Sequence, residues 1–382
     1  MMRAAARIAR PAALLAALLT VAACTSQGSG SRTGAADSPG SPAYASAVPP
    51  SAVPSSRVPS GPATSGPASP GTGTGSASGA ATEGTLADGI PDPRSRMLLG
   101  AYTDLKGKSA TAAMQARERA MGRPYDLAVT YYDWDDAFPD AGEEAMAAAG
   151  TTPLMAWYLP DTNSGSVAEL GQLAAGADDA RIRAQARAIK AYGHQVFLRL
   201  APEMNGNWYK YSGDPPAYMA AWRHVHQVFS AAGVSNVTWV WCPNVNPGNW
   251  DAYYPGRAYV DVIGVDGFSN TTYTWQTFQQ LFEGFFKHFA AFAPGKPQLV
   301  VETATNSAAG VPAAAVGSAA SFITGMRSYL RGVAGPKYGV IGVCWFDSDT
   351  NNGYDWRVDQ TPQAGQAWLA LARDPYFGGH GS

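Results

Sequence analysis

The sequence has few charged residues, few cysteines and few histidines for its 382 residues. Charged side chains make up 15% of it, with 27 basic and 29 acidic residues, and no basic run interrupts the part after residue 96. Nucleic acid is therefore not an expected partner, because binding it requires clustered positive charge. None of the five histidines lies at the end of a predicted strand, which disfavours a zinc centre or a histidine-activated nucleophile. We expect neither a metal nor a cofactor.

The first 92 residues lack the aromatic and β-branched content of a folded core. Residues 1–23 carry three arginines and an apolar run that ends in Val-Ala-Ala before Cys24, which resembles a bacterial lipoprotein signal whose cysteine receives a lipid. Residues 24–92 consist mostly of Ser, Gly, Pro, Ala and Thr and are expected to stay disordered. We expect lipid anchoring at the extracellular face of the cell membrane; an ordinary secretory signal that releases the protein is the alternative.

Residues 93–382 are expected to form one domain of the α/β class. Eight apolar segments alternate with helical patterns, and this predicts a single (β/α)8 TIM barrel. An open doubly wound sheet is the alternative, but the first strand is followed by Asp-Leu-Lys-Gly-Lys, which is not a glycine-rich phosphate turn. The predicted strands are Met97–Tyr102, Asp126–Tyr132, Pro153–Tyr158, Gln195–Ala201, Val237–Cys242, Val260–Val265, Gln298–Val301 and Gly339–Trp345.

The two cysteines of this domain, Cys242 and Cys344, fall in predicted strands that are not consecutive. Two buried thiols and a disulfide are both compatible with an exported protein. The domain also holds all 11 tryptophans of the chain. Aromatic rings of this kind serve either as a core or as flat platforms for sugar rings.

Two glutamates follow apolar segments at the points where strands are expected to end. Glu203 closes the fourth predicted strand in Arg-Leu-Ala-Pro-Glu-Met-Asn-Gly, and Glu302 closes the seventh in Val-Val-Glu-Thr-Ala. Functional sites of such barrels lie at the carboxyl ends of the strands, so these two carboxylates are expected to converge. A paired acid and carboxylate is the machinery of glycoside hydrolysis, which needs no metal.

The segment from Glu203 to Trp208, Glu-Met-Asn-Gly-Asn-Trp, resembles the signature of glycoside hydrolase family 26, in clan A of these enzymes. The resemblance extends over the whole predicted barrel. It implies that Glu203 is the proton donor and general acid/base, and that Glu302 is the nucleophile of a retaining mechanism. The family contains mainly endo-β-1,4-mannanases, together with β-1,3-xylanases and mixed-linkage β-glucanases.

The resemblance also implies a set of substrate-binding residues. Trp208 would form a platform beside the cleaved linkage, and Trp345 would stack on the sugar at that linkage. Asn205 belongs to the matched segment, whereas Asn244 and Asp266 would line the cleft at the ends of strands five and six. Arg199 is a further predicted binding residue, on a different ground: alternation along the fourth strand places it on the same inward face as Glu203, where it would hold Glu302 ionised. Pairing with an aspartate inside the barrel is the alternative for this arginine.

This sequence departs from the family pattern at two positions. The family usually has His before its acid/base, where Pro202 stands here, and commonly a Tyr at the end of strand six, where Phe268 stands here. Tyr273 is a candidate replacement for that hydroxyl. These departures bear on substrate preference and rate, because both glutamates are kept.

The leading hypothesis is a monomeric, lipid-anchored retaining glycoside hydrolase that cleaves internal β-linkages of a polysaccharide, with β-1,4-mannan as the expected substrate. One alternative is a carbohydrate-binding lipoprotein with weak or lost catalysis. Others keep the mechanism and change the substrate to xylan, to mixed-linkage glucan, or to an exopolysaccharide of the cell itself.

Overall fold

The computed structural model describes residues 90–160, 169–270, 275–306, 317–349 and 354–378. Eight parallel strands, each hydrogen-bonded to the next and the last to the first, close into a barrel. The predicted (β/α)8 barrel is therefore confirmed. The strands are β1 (Leu98–Asp104), β2 (Leu127–Tyr132), β3 (Thr152–Trp157), β4 (Val196–Leu200), β5 (Val237–Trp241), β6 (Val262–Ser269), β7 (Gln298–Thr305) and β8 (Val340–Ser348).

Helices surround this barrel, and local signals in the sequence set many of their ends. Ser109 accepts a hydrogen bond from Ala112 N at the start of the first helix, and Asp140 forms a capping box with Glu143 at the start of the second. Within the described ranges the helices are α1 (Ala110–Met121), α2 (Ala141–Ala148), α3 (Leu170–Ala174), α4 (Asp179–Tyr192), α5 (Pro215–Ala231), α6 (Phe278–Phe292), α7 (Ala319–Tyr329), α8 (Gly335–Tyr338) and α9 (Pro362–Ala372).

The strands are buried on both faces, which explains why they read as nearly continuous apolar runs rather than as alternating patterns. The outward face of each strand packs on the helices; for example, Trp239 of β5 contacts Trp222 and Phe229 of α5. On the inward face, alternate side chains fill the barrel. This arrangement leaves the carboxyl ends of the strands as the place where polar side chains gather.

Several boundaries differ from the sequence-based expectations. Strands β6, β7 and β8 run three or four residues further than predicted, because polar residues at their ends are held in hydrogen-bonded ladders. Ile90 is buried against the barrel, so the folded part begins before the predicted boundary at residue 92. The signal, Cys24 and the rest of the linker lie outside the described residues.

Two further features concern the same described part of the chain. Cys242 and Cys344 are both buried free thiols, so the disulfide alternative is wrong. Among the helices of the described ranges, none is long and apolar enough to cross a membrane.

Candidate active site

Glu203 lies just beyond the end of β4, where the backbone leaves its regular path. Ala201 and Glu203 both have positive φ, at 45° and 54°, which is costly for residues with a Cβ. Glu203 N donates to Cys242 O at 2.8 Å, which ties this turn to the end of β5. The turn places the Glu203 carboxyl at the mouth of the barrel, although only 1% of the residue is exposed.

Each oxygen of the Glu203 carboxyl accepts a hydrogen bond. Asn244 Nδ2 donates to Oε1 at 2.6 Å, and Trp208 Nε1 donates to Oε2 at 3.0 Å. The Trp208 ring lies directly over Gly206, and any Cβ at that position would overlap the ring. The glycine of the Glu-Met-Asn-Gly segment is therefore required for Trp208 to reach the carboxyl.

Glu302 lies on β7 and is fully buried beside positive charge. Arg199 of β4 donates one guanidinium nitrogen to Glu302 Oε1 and the other to Asp266 Oδ2 of β6. A buried arginine between two carboxylates keeps a charged group stable inside the barrel, because each charge has a partner. Both alternatives for Arg199 therefore hold: it pairs with Glu302 and with an interior aspartate.

The electrostatic settings of the two glutamates differ. Burial, and then the negative charge of Glu302, raise the pKa of Glu203 to about 7, although Arg199, Asn244 and Trp208 each lower it. Glu302 instead contacts the cationic guanidinium of Arg199 directly. This asymmetry suits a protonated acid next to an ionised carboxylate, which are the two roles of a retaining glycosidase.

Asn205 has a different place from the one expected. Its Nδ2 donates to Asn244 O and Pro247 O, each at 2.8 Å, and its Oδ1 accepts from Asn244 N at 2.9 Å. The amide is thereby occupied by protein partners, so the prediction that Asn205 binds substrate is wrong. Asn205 fixes the loop that carries Asn244, and through it the Glu203 carboxyl.

The prediction that Trp345 stacks on a sugar is also wrong. The predicted strand ended at this residue, whereas β8 continues to Ser348, so Trp345 is not at the tip. The indole points to the helices, where it contacts Phe322 and Trp368, and it is fully buried. Because side chains alternate along a strand, the next residue, Phe346, points inward and contacts Tyr102 and Phe268.

Two more predicted binding residues do not line the cleft. Arg199 and Asp266 are fully buried, and they pair with each other beneath the carboxylates. Asp266 Oδ1 also accepts a weak hydrogen bond from Cys242 Sγ at 3.3 Å. Of the six predicted binding residues, Trp208 and Asn244 are the two that remain partly exposed at the mouth, and both contact Glu203.

Tyr131, which the sequence analysis did not single out, belongs to the site. Its hydroxyl donates to Glu302 Oε1 at 2.8 Å from the end of β2. The signal was the same one that revealed the glutamates, namely a polar atom at the end of a predicted strand. Phe268 offers no hydroxyl, and Tyr273 lies outside the described residues.

Two half-buried tyrosines, Tyr131 and Tyr158, lie next to each other at this end of the barrel, and Tyr209 is buried beside them. Tyr158 stacks on Tyr131 with ring centroids 6.3 Å apart and contacts Tyr209 at 5.4 Å. By contrast, Trp134 and Trp157 stack on each other and are fully buried. Within the described ranges, no cluster of three or more His, Cys, Asp or Glu side chains is arranged to hold a metal ion.

Comparison with known sequences agrees with this geometry. Residues 165–308, which include both glutamates, match the sequence model of glycosyl hydrolase family 26. Endoglucanase H of Acetivibrio thermocellus is 30% identical over 274 residues, which is 66% of this chain and 28% of that protein. Mannan endo-1,4-beta-mannosidase A and B of Caldalkalibacillus mannanilyticus is 33% identical over 86 residues, 20% of this chain and 17% of that protein. The chain thus spans less than a third of these relatives.

Solved structures show the same architecture. The Bacillus subtilis mannanase BCman superposes with a TM-score of 0.52 at 17% identity, covering 74% of this chain and 86% of that one. At this identity the likeness concerns the fold alone. The family match over β4 to β7 and the alignment to a curated relative thus show that this chain resembles glycoside hydrolase family 26 in sequence, and the solved structure shares its fold.

Proposed function

We propose that the protein is a retaining endo-β-glycanase that cleaves β-1,4-mannan by double displacement, with Glu203 as acid/base and Glu302 as nucleophile. The observation that carries this proposal is the opposite electrostatic setting of two buried glutamates at one end of the barrel. Relatives named as mannan endo-1,4-beta-mannosidases support the choice of mannan.

In the first step, a Glu302 carboxylate oxygen attacks the anomeric carbon while Glu203 gives its proton to the departing glycosidic oxygen. The bond from Glu302 to the sugar forms as the bond to the leaving group breaks. The part of the polysaccharide on the aglycone side departs with the proton from Glu203. A covalent glycosyl-enzyme and an ionised Glu203 remain.

In the second step, Glu203 takes a proton from water, and the resulting hydroxide equivalent displaces Glu302 from the sugar. Esterification of Glu302 removes its negative charge, which is the second cause of the raised Glu203 pKa. The pKa of Glu203 therefore falls in the intermediate, as a residue that changes from acid to base requires. Two inversions at the same carbon give net retention.

Product analysis tests this proposal. The purified protein is incubated with β-1,4-mannan, mixed-linkage β-glucan and β-1,3-xylan, and the first products are followed by proton NMR. We expect short manno-oligosaccharides whose new reducing ends are initially β. Initial α products would contradict retention, and no hydrolysis of mannan would contradict the substrate.

A mixed-linkage or other β-glucan is the second candidate substrate. Endoglucanase H, which aligns with 66% of this chain, is named an endoglucanase. In addition, Pro202, the residue before Glu203, has no side-chain hydrogen-bond donor. Its carbonyl oxygen accepts a hydrogen bond from Tyr211 Oη at 2.9 Å. Faster hydrolysis of β-glucan than of mannan in the same assay would identify β-glucan as the preferred substrate.

A carbohydrate-binding lipoprotein without catalysis remains the alternative from another class. Such a protein would bind an oligosaccharide in calorimetry but leave even an activated dinitrophenyl glycoside intact. The raised pKa of Glu203 favours the enzyme, because binding alone gives no reason to bury an acid beside a second carboxylate.

We further propose that Cys24 carries a lipid that holds a monomeric enzyme at the extracellular face of the membrane. The motif of residues 1–24 supports this placement. Cys24→Ala should move the protein from the membrane fraction to the medium in the producing cell. Unchanged membrane retention, with the same mass, would contradict lipid attachment at this residue.

The dependence of activity on pH should follow the protonation of Glu203. The acid form works, and its pKa is about 7, so kcat/KM on a polysaccharide should fall as pH rises through about 7. Trp208→Phe removes a hydrogen bond that lowers this pKa, so the fall should move to higher pH. A basic limb at the same pH in the wild type and this variant would contradict the assignment.

Asn205→Ala should lower kcat by about tenfold to a hundredfold, because the loop carrying Asn244 loses three hydrogen bonds and the acid loses its fixed position. The matched control is Asn236→Ala. Asn236 also donates to two backbone carbonyls, those of Ile189 and His194, but near the opposite end of the barrel. Equal losses of activity in the two variants would mean that Asn205 acts through stability alone.

A further inference from the structure

The two oxygens of the Glu302 carboxylate have different surroundings. Oε1 accepts from Arg199 Nη1 and from Tyr131 Oη. Oε2 is buried, and among the described residues no donor lies within hydrogen-bonding reach of it. A buried carboxylate oxygen without a donor is costly in a folded protein, so its free lone pair points to a function.

Tyr131 and Arg199 reach Oε1 from two different strands. Tyr131 follows Leu127 and Val129 on the inward face of β2, and its hydroxyl spans the barrel to β7. The ring itself is held by an edge contact with Tyr102 at 4.9 Å and by stacking on Tyr158. The donor is therefore positioned by packing and not by the carboxylate alone.

Burial, and then the charge of Glu302, raise the pKa of Tyr131 well above its usual value. The hydroxyl consequently keeps its proton near neutral pH and acts as a donor. Two donors on a single oxygen fix the rotation of the carboxylate about its Cγ–Cδ bond. One donor, Arg199, also serves Asp266, which leaves Tyr131 as the donor dedicated to Glu302.

We propose that Tyr131 is a positioning residue that turns Glu302 so that Oε2 is the attacking oxygen. This inference rests on the proposed function and adds the atom that reacts and the strand that directs it. On attack, Oε2 forms the bond to the anomeric carbon, the glycosidic bond breaks, and the Glu203 proton leaves with the aglycone. Oε1 becomes the carbonyl oxygen of the ester and keeps its two donors.

The test compares Tyr131→Phe with Tyr132→Phe. Tyr132 is the next residue on β2, and its hydroxyl donates to the buried carboxylate of Glu143 on the helix side. Each variant therefore loses one hydroxyl that donates to a buried glutamate, but one of these glutamates lies in the site and the other lies outside it. Both variants keep their rings, and thermal melting verifies that both fold.

We expect Tyr131→Phe to lower kcat by about tenfold to a hundredfold, the scale of one hydrogen bond to a charged group, while KM changes little. The fall should appear with polysaccharide and with a dinitrophenyl glycoside, since attack by Glu302 is needed for both. The rate of inactivation by a 2-deoxy-2-fluoro glycosyl fluoride, which reports that attack directly, should fall by the same factor. Tyr132→Phe should match the wild type in all three.

Three results would overturn the assignment: a wild-type rate in Tyr131→Phe, a change confined to KM, or an equal fall in Tyr132→Phe. Each of these leaves the proposed function standing, because the wild-type enzyme is active in the same assays. A wild type that hydrolyses no polysaccharide and no aryl glycoside would instead overturn the proposed function, and the role of Tyr131 with it.

Discussion

Glu302→Ala should lower kcat by about 10⁴-fold or more on every substrate, because the residue that is removed is the nucleophile and no other group forms the covalent intermediate. The variant should still fold, since Arg199 keeps its ion pair with Asp266. Initial rates with polysaccharide and with a dinitrophenyl glycoside measure the loss. Activity within tenfold of the wild type would remove Glu302 from the mechanism.

Sodium azide sharpens this experiment. In Glu302→Ala the small anion occupies the space of the lost carboxylate and should convert a β-aryl glycoside into the α-glycosyl azide. The matched control is Glu143→Ala, which deletes a buried glutamate on the helix side of the barrel. That variant should lose stability but keep its kcat and form no glycosyl azide.

Glu203→Ala should lower activity on the polysaccharide by about 10²- to 10⁴-fold, because the leaving oxygen no longer receives a proton. The loss in the first step should be far smaller for a dinitrophenyl glycoside, whose leaving group departs as a stable anion. Azide should then speed turnover and give the β-glycosyl azide, since the intermediate on Glu302 is attacked from the open face.

The contrast between the two glutamate variants separates their roles. Equal sensitivity of Glu203→Ala to good and poor leaving groups would contradict an acid role for Glu203. An α-azide from this variant would contradict the formation of an intermediate on Glu302. Both outcomes are read by rate measurement and by NMR of the same reaction mixtures.

The barrel and the place of Glu203 just beyond β4 followed from the sequence, because they depend on coarse features, whereas Glu302 lies within β7, which continues to Thr305. Apolar runs alternating with helical patterns need no side-chain detail, and a carboxylate directly after such a run marks the mouth of the barrel. Capping residues mark the start of α1 at Ser109 and the end of α4 at Gly193, and capping is likewise a local interaction. All of these features depend on residues that are close together in the sequence.

The side-chain directions did not follow, because a shift of one residue along a strand reverses the face. Trp345 was placed in the cleft on the assumption that its strand ended there, whereas β8 runs to Ser348 and Phe346 faces inward. Tyr131 was missed since its partner, Glu302, lies 171 residues away. Contacts of this kind are set by closure of the barrel and not by any local pattern.

The amide of Asn205 illustrates a further limit. A match to a family segment suggested contact with substrate, but the structure uses all of its donors and its acceptor within the protein. Whether a polar group at a cleft serves the ligand or the loop depends on neighbours from other strands, here those after β5. The sequence alone does not show which residues from other strands lie within hydrogen-bonding distance of Asn205.

The most direct test of the mechanism is to identify the residue that becomes covalently attached to the sugar. The enzyme is inactivated with a 2-deoxy-2-fluoro β-glycosyl fluoride of an oligosaccharide that it hydrolyses, digested with pepsin, and sequenced by tandem mass spectrometry. We predict one added glycosyl group, located on Glu302. A label on Glu203 or on any other residue, or time-dependent turnover without any labelled peptide, would contradict the account.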